Sequence, residues 1–266
     1  MIHASRRRCL IALLCLVASA SVAAQSSPPA AAGRVPVTWL IVVDDLHLDF
    51  RNTGRIRDAI KTIAAELIQD GDKFGIASTG PSALAVDLTE DRQALAAAIR
   101  KATGNALRFD DMMQGPTGAA EARYRASIAL ATAHAMLEAG SRAASGPTAL
   151  LYISKGFSVD ILPDRAPASP RLGRGFDVTR AEIREQLTQL TTTATSASIR
   201  IFAIDLRLAG DDLDLNLSLA SNPEWPAHRD AMRSVLQSIS DGTDGFAIVD
   251  GDLVAQLRRI SEAMRK

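Results

Sequence analysis

The apolar run Trp39-Leu40-Ile41-Val42-Val43 stops abruptly at Asp44-Asp45-Leu46-His47-Leu48-Asp49, and no other feature constrains the chain as strongly. A run without polar alternation must be covered on both faces, which is the condition of a central strand in a parallel sheet. In open α/β sheets, ligands bind beyond the carboxyl ends of the strands, where these acids and the histidine would fall. The same residues also suit a solvated strand-to-helix turn whose acids cap the next helix.

The remaining pattern alternates in the same way. Strand signals cover Val35–Val43, Lys73–Ser78, Ala83–Leu88, Thr148–Ser154, Ile199–Leu206 and Phe246–Val249. Helical periodicity covers Thr53–Gln69, Gln93–Ala102, Ala119–Ala139, Thr179–Ala194, a segment ending at Ile239, and Leu253–Met264. Thr89 reads as the N-cap of the second helix. Gly104–Gly118, Ser158–Gly175 and Arg207–His228 read as loops, and Leu213, Leu215, Leu217 and Leu219 alternate as in an edge strand. Strands separated by helices of this length indicate an α/β fold, a doubly wound, mostly parallel sheet with helices on both faces. Eight strand–helix units are not found, which argues against a barrel.

The first 24 residues are expected to be a signal peptide. Arg6-Arg7-Arg8 precedes an apolar core, Cys9–Val17, and small residues end at Val22-Ala23-Ala24. That core is too short to span a bilayer, and no later stretch of the mature chain is apolar enough to do so. Residues 25–34 are rich in Ser, Pro and Ala and read as a flexible linker, with one domain from 35 to 266. Both cysteines, Cys9 and Cys15, lie in the leader, so thiolate metal sites, disulfides and cysteine nucleophiles have no residues to use. The 30 basic and 30 acidic side chains balance, and loss of the leader arginines leaves a mature charge of about −3. With no basic patch and only 4% aromatic residues, nucleic-acid binding is excluded.

The familiar chemical motifs fail. There is no GxxxxGK[ST] loop, no GxGxxG after the first strand, no HExxH and no GxSxG elbow. His47, His134 and His228 are scattered, and His134 sits among small residues of a helix. One enzymatic set stands on paper: Asp44, Asp45, Lys155 and Asp205 supply the acids and lysine of a metal-dependent phosphate-ester site.

The VVDDLH stretch, the helix ending before Gly71-Asp72-Lys73-Phe74-Gly75-Ile76, the LLYISKG strand and the late Gly242-Thr243-Asp244-Gly245 turn share an order. That order resembles a von Willebrand factor type A (VWFA) domain, specifically the exported bacterial "VWFA-related" group, over about Val35–Met264. The resemblance implies a VWA/Rossmann-like three-layer sandwich. It also implies a metal-ion-dependent adhesion site built from DxSxS, a threonine and a later aspartate. Asp44 matches the first aspartate and Thr117 the threonine, while Leu46 and Leu48 replace the serines and Lys155 replaces the later acid. Leucine cannot ligate magnesium, and a lysine beside Asp44 would neutralise it in the metal's place. A shifted register offers Asp45, His47 and Asp49 as an alternative cation set, in which imidazole favours zinc. Relatives often continue into a tyrosine-rich region beyond the last helix, where this sequence ends at Lys266.

Together these readings lead to an exported, periplasmic or secreted binding module with a degenerate metal site. Its expected partner is a protein or a cell-envelope component. It is expected to be no enzyme and to need no cofactor, the open possibility being a divalent cation (Mg, Mn or Zn). A metal-free scaffold and a phosphate-ester hydrolase are the alternatives. Expression in an exporting host should yield a mature chain beginning at Gln25. Terminal sequencing and mass spectrometry check this, and an uncleaved cytoplasmic chain or a lipid-modified Cys15 would contradict it.

Overall fold

The computed structural model describes residues 35–143, 146–158, 178–209 and 222–266. The expected leader, the linker, most of the Ser158–Gly175 loop and the Leu213–Leu219 alternation lie outside the described residues.

Among the described residues, chain order gives β1 (Thr38–Val43), α1 (Thr53–Leu67), β2 (Lys73–Ser78), β3 (Ala85–Thr89), α2 (Arg92–Lys101), α3 (Phe109–Gln114) and α4 (Gly118–Ala143). Then come β4 (Thr148–Ser154), α5 (Arg180–Ser196), β5 (Ile199–Asp205), α6 (Trp225–Ser240), β6 (Ala247–Ile248) and α7 (Leu253–Met264). The strands form one sheet in the order β3-β2-β1-β4-β5-β6. All pairings are parallel except β2 with β3, an antiparallel edge.

β1 is central, as its composition requires. Every residue from Thr38 to Val43 is buried, and successive side chains enter opposite layers. Trp39, Ile41 and Val43 join the core under α1, α2 and α7. Leu40 and Val42 join the other core, under α4, α5 and α6. Five apolar positions, Trp39–Val43, therefore contribute to two cores at once, which is why no polar residue interrupts that run.

Local signals explain most helix starts. Thr179 and Glu182 form a capping box on α5, and the Asp252 carboxylate caps α7. β3 runs on through Thr89, so the cap of α2 is Asp91, whose side chain accepts from the Gln93 and Ala94 amides. The segment read as an irregular loop, Gly104–Gly118, contains α3, with Asp110 and Asp111 in its first turn. α6 likewise begins at Trp225, inside the segment expected to be loop.

At the amino-terminal edge of the sheet, Asp72 holds several elements together. Its carboxylate accepts from the Val37 amide at 2.9 Å, Trp39 Nε1 at 3.0 Å and the Gln69 amide at 2.9 Å. Arg265, after α7, closes the set with Nη2 at 2.5 Å. Burial opposes ionisation of Asp72, but Arg265 and the three N–H donors outweigh it and hold its carboxyl below the ordinary range. Asp72→Ala would strand the Arg265 guanidinium, which is only 8% exposed. The variant should lose about 3–5 kcal/mol of folding stability in urea denaturation.

Candidate functional site

Asp44 follows β1 directly and is completely buried. An isolated carboxylate there would be prohibitively costly, so its partners define the site. Val43 pairs with Ile153, and Tyr152 and Ser154, two apart on β4, turn the same way toward Asp44. Tyr152 Oη donates to Asp44 Oδ2 at 2.8 Å and Ser154 Oγ donates to the same oxygen at 2.7 Å. Thr79, just past β2, donates from Oγ1 to Asp44 Oδ1 at 3.0 Å. His47 completes the set, with Nδ1 at 2.9 Å and 2.8 Å from the two oxygens. An ionised carboxylate only accepts, so Nδ1 carries the proton in this contact. No hydrogen bond among the described residues engages the other ring nitrogen, Nε2.

Burial alone would raise the Asp44 pKa. His47, through charge and hydrogen bond, and then Ser154 and Tyr152 reverse that and hold the carboxyl below its ordinary range. The same environment pushes the Tyr152 phenol well above its ordinary value, through burial and the Asp44 charge, so Tyr152 remains a donor.

The other expected site residues disperse. Asp45 shares the one Thr79 hydroxyl proton with Asp44, its Oδ1 lying 2.9 Å from Thr79 Oγ1, and accepts from the Ser82 amide at 2.8 Å. Asp49 is held by Arg51, with Nη2 at 2.6 Å; burial raises its pKa, but Arg51 and, more weakly, Lys155 outweigh that and hold the carboxyl below its ordinary range. Asp45, His47 and Asp49 thus serve three different sets of partners. No group of three acidic, histidine or cysteine side chains among the described residues is arranged to hold a metal. Thr117 sits in the turn before α4, where its carbonyl accepts the Glu121 amide, and the threonine on Asp44 is Thr79. His47 is an ionisable side chain seen against Asp44, its Nδ1 2.8 Å from Oδ2. Asp205, which ends β5, is bound by the Arg207 amide at 2.9 Å and by its guanidinium at 2.6 Å. Both oxygens of Asp44 are engaged by protein donors, so the residues do not fit the divalent cation that the adhesion-site resemblance implies.

Beside this knot lies a cavity of about 460 Å³ at the carboxyl ends of β1, β4 and β5. His47 and Phe157 form one wall, their rings 5.3 Å apart. Phe109, Trp225 and His228 pack as an aromatic cluster on another, with Phe109 4.9 Å from His228 and 5.4 Å from Trp225. Gly156 forms part of the lining with φ +77°, and a Cβ there would stand 2.2 Å from the Met232 carbonyl oxygen. Glycine is therefore required twice over at this turn, by conformation and by space. Gly104 has a similar role, its missing Cβ admitting the Leu48 carbonyl oxygen at 2.3 Å. That approach lets Asn105 N reach the Asp45 carbonyl at 2.8 Å and Ala106 N the Leu48 carbonyl at 2.9 Å.

No protein-family model matches the chain, and no curated protein matches it.

Sequence reasoning passed over Thr79, Tyr152, Ser154, Arg207, Trp225 and His228. A usable signal existed for two of them: Tyr152 and Ser154 put hydroxyls two residues apart into an otherwise apolar strand, which implies a polar partner on that face. The others depend on tertiary contacts. His134 is apart from the site, with Nε2 3.0 Å from Thr193 Oγ1.

Burial, then the positive fields of Arg207 and His47, depresses the His228 pKa from 6.5 to about 4. The unfolded chain would take up this proton near 6.5, the folded one only near 4. Stability therefore falls as pH drops through that window, by about 3 kcal/mol when complete. Asp44, with its pKa lowered from 3.8, loses its contribution only at more acid pH. Urea denaturation between pH 7 and pH 4 should show a shallower decline for His228→Gln than for the wild type. At pH 7, Tyr152→Phe should cost about 2 kcal/mol, a hydrogen bond to a charged group.

Proposed function

We propose that this is an exported, metal-independent binding module, akin to VWFA-related domains, whose ligand enters the cavity at the carboxyl ends of β1, β4 and β5. The observation that carries the reading is the combination of a cavity of about 460 Å³ with an adjoining carboxylate whose two oxygens are already bonded to the protein. Cavities of this size accommodate a drug-sized molecule or a projecting group of a larger partner. A protein or cell-envelope component is the expected source. The resemblance of residues 35–264 to VWFA-related domains belongs to this proposal, supported by the order of elements and the acid after β1.

Asp44 acts here as an internal anchor. Its bonds to β4, to Thr79 and to His47 give the cavity wall a rigid base, and His47 connects that base to the lining. A phosphate-ester hydrolase would need Asp44 or Asp45 available to a metal or a phosphoryl group, and both carboxylates are engaged elsewhere. A pure scaffold has no use for an aromatic-lined cavity beside a charged knot.

The test is a thermal-shift screen of the mature protein against envelope glycans, short peptides and small acids, run with and without chelator. Binding at 100 times Kd should stabilise the fold by about 2.7 kcal/mol. The expected hit persists in chelator and vanishes in Ala106→Trp, which fills the cavity from its lining. Calorimetric titration with magnesium, manganese or zinc should give no binding heat. A hit that requires metal, or one indifferent to Ala106→Trp, contradicts the proposal.

A further inference from the structure

We infer that the strand-end cavity is a recognition site for a monocarboxylate carrying a flat apolar body; this rests on the binding reading above and specifies its ligand. Three lining residues carry buried polar atoms with no hydrogen-bond partner among the described residues: Ser158 Oγ, Arg207 Nη1 and His228 Nδ1. Ser158 is 5% exposed, His228 2% and the Arg207 side chain 8%. Native proteins leave few such atoms unmet, and each costs on the order of 1–3 kcal/mol. Three in the wall of one cavity point to a ligand that supplies the missing partners.

The chemistry of the three selects the ligand group. Arg207 Nη1 can only donate, and its remaining nitrogens are committed to Asp205 and to the Lys155 carbonyl. The Ser158 hydroxyl donates or accepts. The His228 ring is uncharged at neutral pH, so one of its nitrogens donates and the other accepts. A group presenting two or more acceptor oxygens meets all three atoms, and an ammonium meets none of the donors.

Charge selects further. The lining contains five cationic side chains, Arg51, Arg108, Arg125, Lys155 and Arg207, and two acids, Asp49 and Asp110. Behind them, Glu121 pairs with Arg125 and Asp205 with Arg207, and with His47 and Asp44 counted as an internally neutral pair the formal excess is one positive charge. Such a site suits a single negative charge rather than a polyphosphate. The aromatic cluster then provides the apolar surface. Trp225 and Phe109 meet edge to face inside, and Phe50, 70% exposed, stands at the rim. A planar aromatic acid would place its ring there and its carboxylate at Arg207.

The chain contains two tryptophans, and Trp39 is fully buried in the core, so a fluorescence change on ligand addition reports Trp225. Phenylacetate, phenylacetamide and phenylphosphonate are titrated into the full mature protein, with Trp225→Phe as the signal control. Phenylacetate should bind at least about tenfold more tightly than its neutral amide, the loss of one charge-assisted interaction. It should also bind more tightly than the phosphonate dianion. Ser158→Ala should weaken phenylacetate about fivefold while leaving the unliganded melting temperature unchanged or raised, because it removes an unmet hydroxyl. Acid and amide binding equally, or phosphonate binding more tightly, would overturn the carboxylate assignment and leave the cavity as a binding site. Failure of all three probes to alter Trp225 emission would overturn both. Ser158→Ala binding phenylacetate like the wild type would overturn the role given to Ser158 and with it the three-donor site.

Discussion

A buried carboxylate at the end of the central strand governs the carboxyl edge of this protein. Asp44 must remain ionised or lose its hydrogen bonds, and it remains ionised because Tyr152, Ser154, Thr79 and His47 all donate to it. The four donors come from three places: β4, the turn after β2, and the loop after β1. The carboxylate therefore fixes how β1, β2 and β4 finish, beyond what backbone pairing requires. Removing one donor weakens the knot, but removing the carboxylate would leave the Tyr152 and Ser154 hydroxyls without their acceptor. Networks of this kind are most stable when their charged centre is fully satisfied, and both oxygens of this carboxylate are engaged.

The fold was legible because its signals are local. The apolar run of β1, the amphipathic stripe of α1 and the capping box of α5 each belong to a few consecutive residues. The central place of β1 followed from its composition, and the structure has it between β2 and β4. Errors arose where short polar segments are organised by what they touch. α3 was hidden in an apparent loop because six residues with two aspartates carry little periodicity. Thr89 was taken for a cap because strand and cap signals overlap there, and the pairing of Phe74 with Thr89 favours the strand.

The site was legible in part, for the same reason. The acidic end of β1 points to the sheet edge at which the candidate cavity lies. The sequence offers Lys155 as the cation beside Asp44, and the contact with His47 comes from the loop after β1, which carries no periodicity. The His47 amide donates to the Asp44 carbonyl at 3.1 Å, a tight turn that folds the imidazole back over the carboxylate. Leu48, in turn, is fully buried and Leu46 half-buried, so both act as packing residues beside the acids. Arg207 and His228 are separated from the first strand by more than a hundred residues and meet the cavity only through the parallel order of β1, β4 and β5.

The Asp72 cluster has a geometric consequence. Val37, just before β1, and Arg265, just after α7, bond to the same carboxylate, so the polypeptide enters and leaves this domain at one spot. A circular permutant that joins Lys266 to Val35 through a short linker, reopened at an exposed turn, would preserve every strand neighbour. The junction lies at the amino-terminal edge of the sheet, and six residues of β1 separate it from the cavity by about 20 Å. A protein immobilised by either end of the domain would present its cavity away from the support.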